Sequence, residues 1–177
     1  MSGPDFYLPA ISVWQPWASL LAHGIKVHET RSWAPSVAHI GKTFAICASK
    51  TTQGLDLFAQ PADADYTTRI AALRVLRLDG ADLHRLPLGC ILGLGTLVKA
   101  VRTSAAEIDG TERALGDWTP GRWAWRFQDM QRLTVPVPVQ GKQGIFRVPY
   151  CKRLSDAIPA NATVRGFYTA PPVPEPA

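Results

Sequence analysis

The segment Gly24-Ile25-Lys26-Val27-His28-Glu29-Thr30-Arg31 brings an ammonium, a carboxylate and a guanidinium into one short stretch of chain. Alternate residues of a strand share a face, so Glu29 and Arg31 stand side by side, able to pair or to clamp a ligand's polar edge. Lys26 emerges just ahead of them, where its charge can meet a phosphate or a nucleobase oxygen. As catalytic groups, Lys26 would stabilise developing negative charge and Glu29 would act as a general base. Trp14, Trp17 and Trp33 flank the segment. A base stacked on such a ring gains roughly 1–3 kcal/mol, comparable to one charged contact. Each residue also has a plainer reading. Trp17 shares helical spacing with Leu20 and Leu21 and suits a core position, and Glu29 with Arg31 can be a purely structural ion pair.

These side chains need elements to hold them. Pro16 suits the first turn of a helix and Gly24 the residue after its end, which predicts a two-turn helix over Ala18 to His23. Val27 to Trp33 then alternates as a strand, with Val27, Glu29, Arg31 and Trp33 on one face and His28, Thr30 and Ser32 on the other. A further strand is predicted over Thr43–Ala48, with Phe44 and Ile46 inward. An amphipathic helix is predicted over Asp63–Leu78, carrying Tyr66, Ile70, Leu73 and Leu76 on one stripe. Cys90 to Val101 is an apolar strand whose Gly93 and Gly95 mark bulges or tight bends. Ser104 and Glu107 have the spacing of a capping box for a short helix. Arg122 to Phe127 alternates again, with Trp123, Trp125 and Phe127 on a core face. Leu133 to Val139 is extended, and Pro136 and Pro138 confine it to an edge. Gly141-Lys142-Gln143-Gly144 forms a turn before a last strand at Ile145 to Val148. The pattern predicts an α+β fold of about five to six strands with two or three peripheral helices, closer to a small mixed barrel than to a doubly wound sheet. The domain is expected over residues 10–150, followed by a 151–177 extension whose proline-rich end is disordered.

Composition sets the limits. The chain has 177 residues, of which 46% are hydrophobic and 19% charged, the balance of a globular domain that folds without staples. No apolar run is long enough to span a bilayer, and Met1 to Pro9 lacks the pattern of a signal peptide. A cytoplasmic protein is expected. Its net charge of +5 favours polyanionic partners. The three cysteines, Cys47, Cys90 and Cys151, have neither zinc-ligand spacing nor a disulfide count. Cys47 and Cys90 sit in apolar runs, where cysteine serves as a small core residue. The four histidines lack ligand spacing, so neither a metal nor a cofactor is expected.

The G-x-K-x-x-E-x-R pattern at 24–31, following Trp14-Gln15-Pro16-Trp17, resembles the ASCH domain family of the PUA-like superfamily in its bacterial and phage form. Ser49-Lys50 after the second strand, the Gly121-Arg122-Trp123-Ala124-Trp125 block and Gly141-Lys142-Gln143-Gly144 match it too, so the resemblance runs in order over residues 10 to 150. It implies a compact PUA-like β-barrel whose cleft holds the motif residues and accepts RNA. Some relatives are binding modules; others have been assigned deacetylation of a modified cytidine or RNA cleavage, since one fold hosts several activities. As a binding module, the chain would neutralise phosphate with Lys26, Arg31 and Lys50 and read a base edge with Gln15 and Glu29. Trp14, Trp17, Trp33 and Ser49 would complete the ligand site for RNA, a nucleotide or a nucleoside, with DNA left open. As an N4-acetylcytidine amidohydrolase or a ribonuclease, it would use Lys26 and Glu29 as catalytic groups. The amidohydrolase relatives, however, carry a nucleophilic threonine where Glu29 stands, and Thr30 points to the other strand face. A second carboxylate would come from Glu107 or Glu112. The sequence is silent on oligomeric state.

Overall fold

The computed structural model describes residues 6–58, 66–76 and 83–169. The expected disordered tail from Ala170 lies outside them. One curled sheet carries the fold, in the order β2-β5-β4-β3-β1-β6, with a short β7 added beside β1. Its strands are β1 (Phe6–Val13), β2 (His28–Arg31), β3 (Thr43–Ala48), β4 (Cys90–Arg102), β5 (Trp123–Pro138), β6 (Ile145–Pro149) and β7 (Tyr168–Thr169). The path has ends at β2 and β6, so the sheet is a half-barrel rather than a closed one. Five short α-helices accompany it among the described residues: α1 (Trp17–Ala22), α2 (Gln53–Phe58), α3 (Tyr66–Val75), α4 (Gly110–Ala114) and α5 (Lys152–Ala157). This is the mixed α+β class expected, with more helices than the sequence pattern displays. None of the described helices is long and apolar enough to cross a membrane.

β3 explains why the sheet organises the molecule. It runs parallel to β1 and antiparallel to β4, and all of its residues are buried. Phe44, Ile46 and Ala48 join Ile11, Val13, Leu21, Leu97, Trp125 and Phe127 in a core beneath α1. Ala45 and Cys47 join Leu8, Ala10, Leu94, Phe146 and Leu154 in a second core on the other face. A strand covered on both faces reads as a continuous apolar run. A third cluster, with Leu20, Leu55, Phe58, Leu73 and Leu115, ties the helical layer together.

Several expected details are seen and others are displaced. Register shifts fall at Ile91/Gly93 and Leu94/Thr96, where the glycines of β4 lie, and a third falls at Leu97/Lys99, where there is none. Opposite them Asp129 takes the left-handed φ of 51°, a conformation short polar side chains tolerate. β5 is one 16-residue strand rather than two segments. Because β2 pairs only with Trp123–Arg126, the half carrying Pro136 and Pro138 has one free flank, where a missing N–H costs nothing. The Ser104–Glu107 capping box does not form. Residues Thr103–Ala105 make a 3₁₀ turn, and the next helix begins at Gly110, capped by the Asp109 carboxylate, which accepts from Glu112 N at 2.8 Å. The helix expected over Asp63–Leu78 spans Tyr66–Val75, with Leu73 buried; residues 63–65, 77 and 78 lie outside the described set.

Residues 151–169 return to the same sheet: Leu154 and Ala157 of α5 enter the second core and β7 pairs with the start of β1. Lys42 Nζ lies 3.7 Å from the Tyr168 ring centroid, with Arg147 also over that ring, which pins this return. Cys47 and Cys90 are buried; burial pushes the Cys47 thiol up to about 12 and raises Cys90 as well, as suits core residues rather than reactive ones. Cys151 is exposed.

Candidate functional site

The motif glycine does its work at the end of α1. Gly24 adopts a φ of +70°, open to glycine without strain, and the N–H groups of Gly24, Ile25 and Lys26 return to the carbonyls of Leu21 and Leu20. This wrapped end drives Lys26 back under the helix instead of out to solvent. Lys26 is 1% exposed, yet it lines an open hollow of about 440 Å³. The same hollow is bordered by Val13, Trp14 and Trp17 on one side and by Glu29, Thr30 and Arg31 on another. Leu57 of α2 and the loop from Leu115 to Asp117 close it, together with Arg122.

Burial pushes the Lys26 ammonium below the ordinary lysine range; the fields of Glu29 and Glu112 oppose that, and Arg31 adds to it. Glu29 and Arg31 are an ion pair, Oε1 to Nε 3.1 Å, and Arg31 Nη2 donates to the Ser12 carbonyl at 2.7 Å. The structural reading of that pair is therefore real, but the pair is not sealed: both side chains border the hollow. Guanidinium and carboxylate are thus oriented before any ligand arrives.

Glu112 was the harder residue to place from sequence. It is 5% exposed; its carboxylate accepts the N–H of Val27 and stands 3.2 Å from His28 Nδ1. Burial alone would push its pKa up. The hydrogen bond from His28, the Lys26 charge and the Val27 N–H outweigh burial and hold the carboxyl below its ordinary range. Glu107, the other candidate, is exposed and borders a separate small recess with Arg126. Asp117 and Arg122, which the sequence reading did not single out as site residues, form a rim pair at 3.2 Å. Asp117 is held low by the Thr119 hydroxyl first and by Arg122 last. Arg122 Nη2 also donates to the Thr30 carbonyl, tying the loop to β2.

The remaining predicted residues divide. Trp14 and Trp33 are 39% and 37% exposed, so each presents a ring to solvent at the cleft. Trp33 is braced edge-on by the buried Trp125, centroids 4.7 Å apart, whose Nε1 donates to the Trp33 carbonyl. Trp17 serves both roles, lining the hollow while packing edge-on against Phe58 at 5.3 Å. Ser49 and Lys50 line a second hollow of about 630 Å³, which shares Ser12, Trp14 and Arg31 with the first. Gln15 does not reach either one. It is fully buried, with Oε1 accepting from Ser19 N and Nε2 donating to the Pro87 carbonyl. Its amide is consumed in fastening the start of α1, which leaves nothing with which to read a base. Among the described residues no three histidine, cysteine or acidic side chains converge as metal ligands.

The model of the ASCH domain matches residues 11–132, and the chain belongs to that family. Activating signal cointegrator 1 of Homo sapiens is 27% identical over 141 residues, covering 78% of this chain and 22% of that protein. The Mus musculus protein of the same name is 26% identical over the same share. The chain thus spans only 22% of the length of these relatives. Among solved structures, ASCH from Zymomonas mobilis aligns with a TM-score of 0.49 at 15% identity, covering 85% of this chain and 95% of that one. A single-residue variant of it aligns with the same score at 16% identity, covering 88% and 99%.

Proposed function

We propose that this protein binds RNA, or a nucleotide-like part of it, in the cleft around Lys26, Glu29 and Arg31, acting in the cytoplasm. One observation carries the reading: a buried ammonium and a pre-oriented carboxylate–guanidinium pair share an open hollow bordered by the exposed ring of Trp14, and the exposed Trp33 lines the hollow that adjoins it. Charges held in place before binding lose little entropy when the ligand arrives. Glu29 and Arg31 together offer acceptor and donor to a base edge, and the tryptophans offer stacking surfaces. The family's association with RNA binding and the net charge of +5 point the same way. Titrating the protein with short single-stranded RNA at low and high salt, reading tryptophan fluorescence, tests it. Saturable quenching that weakens with salt is expected; an unchanged spectrum with every oligonucleotide and nucleoside would remove the proposal.

A second reading, hydrolysis of an N4-acylated cytidine, draws on a separate observation. Lys26 is depressed toward its neutral amine and feels two carboxylates, Glu29 and Glu112. Of these groups Lys26 and Glu29 border the hollow and can move protons to and from an attacking water. Incubation with N4-acetylcytidine and chromatographic detection of cytidine decides it, with Lys26→Ala as the control. Ribonuclease activity ranks third, and labelled RNA that Lys26→Ala cuts as fast as wild type would dispose of it.

A further inference from the structure

The two hollows that meet at Trp14 and Arg31 differ in charge. Around the first, cations face anions: Lys26 lies in the field of Glu29, and Arg122 is paired with Asp117. The second is bordered by Arg31, Lys50 and Lys142, and no carboxylate lies among its described lining residues. The segments that carry its lysines pack closely against their neighbours. The stem of Lys50 lies across Gly89 so closely that a Cβ there would fall 2.9 Å from Lys50 Cγ. The turn carrying Lys142 is laid against β1, where a Cβ on Gly141 would fall 2.6 Å from Ser12 Oγ. Gly89 also takes a φ of +62°, a conformation that favours glycine.

A nucleobase is neutral, with donors and acceptors along one edge, and suits walls that offer both signs. A phosphodiester is an anion with acceptors only, and suits walls that offer cations and N–H groups. We propose that the second hollow takes the phosphodiester backbone next to a nucleotide whose base enters the first. The ligand is then a single-stranded nucleic acid of two or more nucleotides rather than a free nucleoside. Arg31 lies at the divide, bordering both hollows while paired to Glu29. A duplex is disfavoured because its bases are already paired and stacked. This inference rests on the cleft being a nucleotide site.

The test is a ladder of ligands titrated into the full chain: the four nucleosides, their monophosphates, a dinucleotide with flanking phosphates, and a ten-nucleotide single strand with its duplex. Affinity is expected to rise at least tenfold from nucleoside to dinucleotide. The exposed-lysine variants Lys50→Ala and Lys142→Ala should each lower the ratio of oligonucleotide to nucleoside affinity. Each should also flatten the dependence of log affinity on log salt by roughly 0.7, the increment for one phosphate contact on a single strand. A nucleoside bound as tightly as the single strand, a duplex bound equally well, or salt slopes untouched by both variants overturns the proposal and leaves the cleft reading standing. Absence of binding by every rung of the ladder overturns both.

Discussion

His28 Nδ1 lies 3.2 Å from Glu112 Oε2, joining β2 to a helix 84 positions further along the chain. The strand that presents Glu29 and Arg31 to the cleft is therefore held by its alternate residue, and the same carboxylate takes the N–H of Val27. Glu112 thus positions the motif without lining the hollow.

Replacing Glu112 by Gln keeps the shape and removes the charge. The His28 contact and the Val27 hydrogen bond lose a charged acceptor, and such bonds contribute about 1.5–3 kcal/mol each at most. A loss of roughly 1–3 kcal/mol in stability is expected by urea denaturation. The pH dependence supplies a second readout. The folded carboxyl is held below its ordinary value of 4.5, so its stabilisation is complete above that pH and fades as the pH falls through the folded value. Glu112→Gln should flatten the stability profile in that acid window and leave its shape near neutrality unchanged.

Gln15→Ala makes the opposite kind of prediction. Its amide holds Ser19 N and the Pro87 carbonyl in a fully buried setting, so removal strands both partners. A cost of about 1–3 kcal/mol is expected in denaturation. RNA affinity measured below the unfolding transition should match wild type. A selective loss of affinity with unchanged stability would return Gln15 to the ligand site.

These two glutamine and glutamate positions show what a linear reading can see. The Gly24–Arg31 turn and strand were legible because their geometry depends on neighbours: a glycine that accepts φ of +70° and an alternation of charges with period two. β3 is legible because it is short and apolar from Phe44 to Ala48. Sequence alone leaves Glu112 as one of two candidates because its partners are 84 and 85 positions away, and no local pattern marks such a pairing. The residue type of Gln15 fits a base edge as well as it fits a helix start, and only burial separates the two. The helix Gln53–Phe58 was hidden by Gly54, whose missing Cβ makes room for Trp14 and the Gln15 carbonyl. β1 is hidden because Pro9 interrupts its run, and a proline argues against an interior strand.

Trp14→Ala and Trp33→Ala test the stacking surfaces. Each ring is more than a third exposed, so truncation should disturb the fold little. Loss of one stacked base should lower RNA affinity by roughly 1–3 kcal/mol, about five- to a hundredfold. Trp14→Phe should recover most of the affinity, since a smaller aromatic face remains. Trp33→Ala should also shift near-ultraviolet circular dichroism, because it removes the edge contact with Trp125 at 4.7 Å. Titration of the three variants against one oligonucleotide gives the comparison.

Lys26→Met separates binding from folding most sharply. Burial depresses the ammonium by more than Glu29 and Glu112 restore, so the charged form is less at ease in the fold than in water. A methionine of similar length fills the space without that cost, and Glu29 and Glu112 keep Arg31 and His28 as partners. Stability near neutral pH should be unchanged or higher. RNA affinity should nonetheless fall by roughly ten- to a hundredfold, the value of one charge-assisted hydrogen bond. For wild type, the same depression means that the ammonium is lost on raising the pH before the ordinary value of 10.5, so affinity should begin to decline below that point. The methionine variant should show no such decline over the same range. An affinity as strong as wild type in Lys26→Met would mean that the buried charge shapes the turn and never touches the ligand.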